Sequence, residues 1–208
     1  FEEDSAGAPS APAGGSAHDY DDGWFVADGS PMAAAEPPPT IGPVEDVDAA
    51  MEELHERVEQ IWGFPELRPY QGAAMKASLE GRDVLVILPT GGGKSLCYQL
   101  PALMLEGTTV VVSPLIALMR DQVDALEKLG IEATFLASTL DPQEMASRLD
   151  ALENGQLQLI YVAPERLVFP RFRQILPSID CPRFAISEAH STSEWGHDCP
   201  PQYLEIGR

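Results

Sequence analysis

The run Leu88-Pro89-Thr90-Gly91-Gly92-Gly93-Lys94-Ser95 stands between two apolar stretches, Val84 to Leu88 and Leu96 to Leu105. In order these predict a strand, a glycine loop and a helix, which is the local setting of a phosphate-binding loop. Glycines let the backbone curl until several N–H groups face one point. The helix start adds the positive end of its dipole, and Lys94 brings a mobile charge. Ser95 supplies a hydroxyl suited to a magnesium ion that accompanies phosphate. The strict pattern has Gly where this chain has Leu88, but the anion-binding end, Gly91 through Ser95, is complete.

The loop belongs to a regular alternation. Strands are predicted at 84–88, 109–113, 133–137, 158–163 and 183–187, with helical stretches between them. Continuous apolar strands of this kind are buried on both faces, so the predicted fold is α/β, a mainly parallel sheet between two layers of helices. Ligands bind such sheets at the C-terminal ends of the strands. The glycine loop, Ser113-Pro114, Ala163-Pro164-Glu165 and Ser187-Glu188 all fall there. Ahead of the first strand, Val47, Ala50, Met51, Leu54, Val58 and Ile61 recur at helical spacing, and that helix is expected to stop near Gly63.

Composition divides the chain in two. Fourteen of the twenty net negative charges fall in residues 1–56, which hold no Lys or Arg. Residues 1–45, rich in Ala, Pro, Gly and Asp, bury too little apolar surface to offset ordering entropy and read as a disordered acidic tail. Its Trp24-Phe25-Val26, among aspartates, is either a docking motif for a protein partner or an isolated aromatic cluster. Residues 46–208 read as one domain. The acidic balance argues against broad adhesion to nucleic acid but not against a local basic groove. Cys97, Cys181 and Cys199 have neither disulfide nor zinc spacing, which fits a reducing compartment, cytoplasm or nucleus. No stretch reaches the roughly 18 apolar residues of a membrane span. A first residue other than Met is expected of a fragment or a processed product.

The remaining motifs narrow the function. Trp62-Gly63-Phe64 and Leu67-Arg68-Pro69-Tyr70-Gln71 precede the first core helix. Downstream come Ser113-Pro114-Leu115, Ala163-Pro164-Glu165-Arg166-Leu167, Ser187-Glu188-Ala189-His190 and Trp195-Gly196-His197-Asp198. Together, from about Leu54 to Arg208, they resemble the RecQ family of superfamily 2 DNA helicases. The resemblance implies a RecA-like motor domain that binds ATP with Mg2+ and moves 3′ to 5′ on single-stranded and forked DNA. An RNA helicase of the DEAD-box type fits the Trp195 and Gln71 regions less well.

The resemblance also implies roles. Gln71 would read the adenine edge, its amide offering one donor and one acceptor, with Arg68 beside it and Trp62 or Phe64 packing near the base. Lys94 and Ser95 would hold phosphate and magnesium. Glu188 would activate or position the attacking water, and His190 would link hydrolysis to the DNA elements. Ser113, Pro114 and Arg120 would meet a single-stranded backbone, as would Pro164, Glu165 and Arg166 in a second loop. Trp195, with His197 nearby, would stack on a base. The plain alternatives are a solvated helix start for Gln71, surface charges for Arg120, Arg166 and Glu188, and core packing for Trp195.

One departure stands out. The family places Asp at the position of Ser187, where it helps hold magnesium; serine brings no charge to the cation, so metal affinity is expected to weaken. Ser191-Thr192 and Cys199-Pro200 stand where the family has Cys-Ile and Phe-Arg. The resemblance covers one motor domain, so a second is expected beyond residue 208, bringing an arginine finger worth about a thousandfold in rate. The strand of the family's third motif would also follow residue 208, between the glycine-loop strand and the strand ending at Ser187. Exposed sheet edges and marginal stability are therefore expected of this chain. The leading reading is a helicase motor fragment; the alternative is a nucleotide- or DNA-binding module impaired by Ser187.

Overall fold

A computed structural model describes residues 44–189. The first helix, α1 (Val47–Arg57), starts where the Asp46 carboxylate accepts the Ala49 N–H at 2.9 Å. That contact satisfies one of the otherwise orphan donors of the first turn. Ala50, Leu54 and Val58, one turn apart, form its buried stripe. A π-helical turn, Val58–Trp62, continues it to Gly63, whose φ of 70° ends the helix as glycine can without strain. The second helix, α2 (Pro69–Leu79), has Pro69 at its first position, where no N–H is needed. Its face meets α1 and the short α3 (Leu96–Ala102) in a cluster of Leu54, Met75, Leu79, Leu96 and Leu100.

Four parallel strands form the sheet: β1 (Thr109–Val112), β2 (Ala133–Leu136), β3 (Leu159–Val162) and β4 (Phe184–Ile186), in the order β2-β3-β1-β4. Thr109 pairs with Leu159, Ala133 with Leu159, and Val110 with Phe184. The connections are helical: α4 (Ile116–Lys128), α5 (Pro142–Glu153), α6 (Pro164–Leu167) and α7 (Pro170–Ile175). Asp141 caps α5 by accepting the Gln143 and Glu144 N–H groups, both at 2.8 Å.

Because side chains alternate along a strand, each central strand feeds two cores. Val111, Leu159, Tyr161 and Phe135 pack with Met119, Val123 and Leu126 of α4. Val110, Ile160, Val162 and Leu136 face Leu149 and Leu152 of α5 and Phe172 of α7 on the other side. Helix, sheet and helix thus form the three layers expected. Among the described residues, no helix is long and apolar enough to cross a membrane.

The predicted strands at 109–113, 133–137, 158–163 and 183–187 are present, each slightly shorter. The strand predicted at 84–88 is not. The segment pairs with no strand, and Leu85 is 80% and Ile87 84% exposed. A strand needs a ladder for its N–H and C=O groups. Both sides of β1 are occupied by β3 and β4, and 84–88 does not pair with either of the sheet's outer strands, β2 and β4. On β4 itself, Phe184 and Ile186 are nearly half exposed. Arg183 anchors the start of β4 to the end of α2 by donating from Nη2 to the Ser78 carbonyl at 2.6 Å.

Candidate functional site

The glycine loop precedes α3. Gly91 and Gly93 take φ of 76° and 81°, left-handed values that favour glycine. Gly92 N–H donates to Pro89 O at 3.0 Å, closing the turn, and a Cβ at Gly92 would lie 2.9 Å from that oxygen. The Lys94 ammonium donates to Leu88 O at 3.0 Å, so its charge sits over the loop it would serve.

The start of α2 fastens this loop from outside. Gln71 is 5% exposed and uses both ends of its amide. Oε1 accepts the Arg68 N–H at 3.0 Å, and Nε2 donates to Gly93 O at 3.1 Å. A Cβ on Gly93 would run into that Nε2. Tyr70 Oη donates to Gly92 O at 2.9 Å and accepts from Arg68 Nη1 at 2.8 Å. Arg68 Nη1 also reaches Gly92 O at 3.4 Å. Arg68 and Gln71 are therefore beside the loop as expected. Gln71 must exchange its present partners to read a base. Trp62 packs against two core clusters, while Phe64 is exposed.

The other end of the site gathers around a residue that the motifs did not single out. Tyr98 lies near the side chains of Ser95, Ser187 and Tyr161, its ring centre 6.4 Å from that of Tyr161, and it feels the charge of Glu188. Burial raises its pKa most, because a buried phenolate loses hydration, and the nearby side chains of Ser95 and Ser187 act in the opposite direction. Ser187 donates its N–H to Val112 O at 2.8 Å, which fixes it at the end of β4. Glu188 follows with φ of 56°, the described non-glycine residue in the left-handed region. The spacing of Tyr98 three residues after Ser95, one helical turn, is the signal that could have found it.

For a hard divalent cation the donor set is thin. Ser95 and Ser187 are neutral hydroxyls, and the described residues hold no group of three His, Cys, Asp or Glu placed to bind a metal. Among the described residues there is thus no carboxylate-rich magnesium site.

The candidate nucleic-acid residues occupy the same sheet edge. Ser113 is buried, with its N–H on Val162 O at 3.1 Å and its Oγ without a partner. Pro114 is half-buried and Arg120 exposed, its guanidinium 5.8 Å from the Phe135 ring centre; Arg148 covers the same ring at 4.3 Å. Pro164 is buried and Glu165 exposed at the start of α6, while the Arg166 guanidinium lies 5.4 Å from the Phe169 ring centre with Nε unpartnered. Buried polar atoms without partners are uncommon, and Ser113 Oγ and Arg166 Nε share this state with Thr109 Oγ1 among the described residues. His190, Trp195 and His197 lie outside the described residues.

The family model of the DEAD/DEAH box helicases matches residues 68–208. The ATP-dependent DNA helicase RecQ of Bacillus subtilis is 51% identical over 146 residues, 70% of this chain and 25% of that protein. RecQ of Haemophilus influenzae is 44% identical over 150 residues, 72% of this chain and 24% of that protein. The ATP-dependent helicase SGS1 of Saccharomyces cerevisiae is 38% identical over 164 residues, covering 74% and 11%. The chain thus spans about a quarter of the length of these bacterial relatives. Among solved structures, a hypothetical ATP-dependent RNA helicase from Sulfolobus tokodaii superposes with a TM-score of 0.55 at 23% identity, covering 69% of this chain and 43% of that one. The RNA helicase Prp28 from Chaetomium thermophilum, bound to ADP, gives 0.53 at 22% identity over 79% of this chain and 42% of its own. At such identity the likeness is one of fold, here the RecA-like α/β domain. A phosphate-type loop on this fold, a match over most of the chain and close sequence kinship together make this chain a member of the DEAD/DEAH box helicase family.

Proposed function

We propose that this chain is the first motor domain of a RecQ-type, ATP-dependent 3′-to-5′ DNA helicase, with residues 1–45 as an acidic tail. The observation that carries it is the convergence of Lys94, Arg68 and Gln71 on the one glycine loop that ends at Ser95. In this reading Lys94 leaves Leu88 O for the terminal phosphates, loop N–H groups hold the polyphosphate, and Gln71 turns to the adenine edge. Glu188 accepts the proton of the attacking water as the new P–O bond to the γ-phosphorus forms and the bond to the β-phosphate oxygen breaks, ADP leaving with the electron pair. Magnesium, arriving with ATP, supplies charge neutralisation, and Ser95 is the loop hydroxyl available to it. A second motor domain completes the cleft, and closure around single-stranded DNA places its backbone over Ser113, Pro114 and the Pro164–Arg166 turn. Trp195, His197 and His190 would couple that strand to the ATP side. Such a protein works where DNA is, in the nucleoid or the nucleus.

Ser187 favours a second reading, a module that binds nucleotide or DNA but turns over poorly, since the end of β4 brings a neutral hydroxyl to the metal. Calorimetric titration of ATP into this chain and into Ser187→Asp, with and without magnesium, separates the two. Magnesium-dependent tightening confined to the aspartate variant supports an intact motor site weakened at one position. Absence of ATP binding by both variants would refute the nucleotide reading.

A further inference from the structure

The contacts on the outside of the glycine loop have a consequence for its inside. A trans peptide is planar, with its C=O and the following N–H pointing in opposite directions. Tyr70 Oη, supported by Arg68 Nη1, holds Gly92 O on the α2 side at 2.9 Å. The N–H of the same peptide belongs to Gly93 and is therefore turned the other way. Gln71 does the same to the next peptide, holding Gly93 O at 3.1 Å and turning the Lys94 N–H away from α2. Among the described residues, neither of these N–H groups donates to a protein acceptor.

We propose that Tyr70 is a positioning residue for polyphosphate. By fixing the Gly92 carbonyl it aims the Gly93 N–H into the loop, so the Arg68–Tyr70–Gln71 turn sets phosphate affinity through the backbone, whatever base is attached. The proposal rests on the ATP reading above. Two consecutive carbonyls tied outward leave two consecutive donors convergent on the other side, the concave arrangement that binds anions. Tyr70 touches no nucleotide in this scheme; its hydroxyl acts one peptide away. Preorganisation of this kind spares the loop the ordering that binding otherwise demands.

The test uses the full chain and Tyr70→Phe, which keeps the ring and removes the hydroxyl. Dissociation constants are measured for inorganic tripolyphosphate and for ADP, with heat unfolding alongside. Loss of one partly exposed hydrogen bond is expected to weaken both ligands by the same factor, about three- to tenfold, with unfolding still cooperative and its midpoint lowered only slightly. An unchanged tripolyphosphate constant overturns the proposal, with or without a change in unfolding. So does a loss seen for ADP but not for tripolyphosphate, which would make Tyr70 a contact to the nucleoside. Failure of the unaltered chain to bind either ligand overturns the ATP reading first and this proposal with it.

Discussion

Gly93→Ala tests whether the loop and the start of α2 act as one unit. The backbone at Gly93 has φ of 81°, where an alanine loses about 1 to 2 kcal/mol. The new methyl would also meet Gln71 Nε2, and Gln71, almost fully buried, must give up its present partners to retreat. Moving it breaks the bonds to Gly93 O and from Arg68 N–H, each worth about 0.5 to 1.5 kcal/mol. The sum is a loss of about 2 to 5 kcal/mol, read from urea unfolding at unchanged slope. The mechanism makes a sharper claim in a Gln71→Ala background. There the obstacle is gone and the two bonds are already absent, so Gly93→Ala should cost only the backbone share, about 1 to 2 kcal/mol. The two substitutions should therefore couple by at least about 1 kcal/mol. Equal losses in both backgrounds would refute the argument that Gln71 and Gly93 are in mutual contact, and a total loss below about 1 kcal/mol would refute the strain argument.

Two further outcomes follow from the buried groups. Burial raises the pKa values of Cys97, Cys181, Tyr98 and Tyr161 above their ordinary 9.0 and 10.0. The unfolded chain gives up these protons first, so their contribution to stability is complete below about pH 9 and declines as pH rises through that range. Urea midpoints measured from pH 7 to 11 should fall on the alkaline side, and a flat profile would show that these groups are solvated. Tyr161→Phe removes a buried hydroxyl that accepts from Gln99 Nε2 at 2.8 Å. Gln99 keeps its bond to Gln122 Oε1, also 2.8 Å, so a loss of about 1 to 2 kcal/mol is expected by urea unfolding, and no loss would mean that the hydroxyl is idle.

The legible parts of this chain are those whose physics is local. Val110–Val112 and Leu159–Val162 read as strands because burial on both faces demands an uninterrupted apolar run. Val84 to Leu88 is an equally apolar run, yet pairing depends on a neighbour supplied from elsewhere in the fold, and no periodicity reveals whether one is there. Gly91 to Ser95 announced itself because the loop's chemistry requires those residue types in sequence. Tyr70 and Tyr98 did not, since a tyrosine reaches a partner far along the chain and nothing in its immediate neighbours names the target. Even Gln71, which lies beside the loop, was legible only by position. That its amide is engaged at both ends is a property of the packed structure.

The left-handed backbone at Glu188 sets two demands on that position against each other. Such a conformation is one that glycine or asparagine adopts with less strain than glutamate does. Judged by folding alone, the candidate base is the wrong residue at the end of β4, and a sequence free to drift toward greater stability would replace it. In the proposed motor, glutamate there would be a compromise in which a little robustness is given up so that a carboxylate stands next to Ser187.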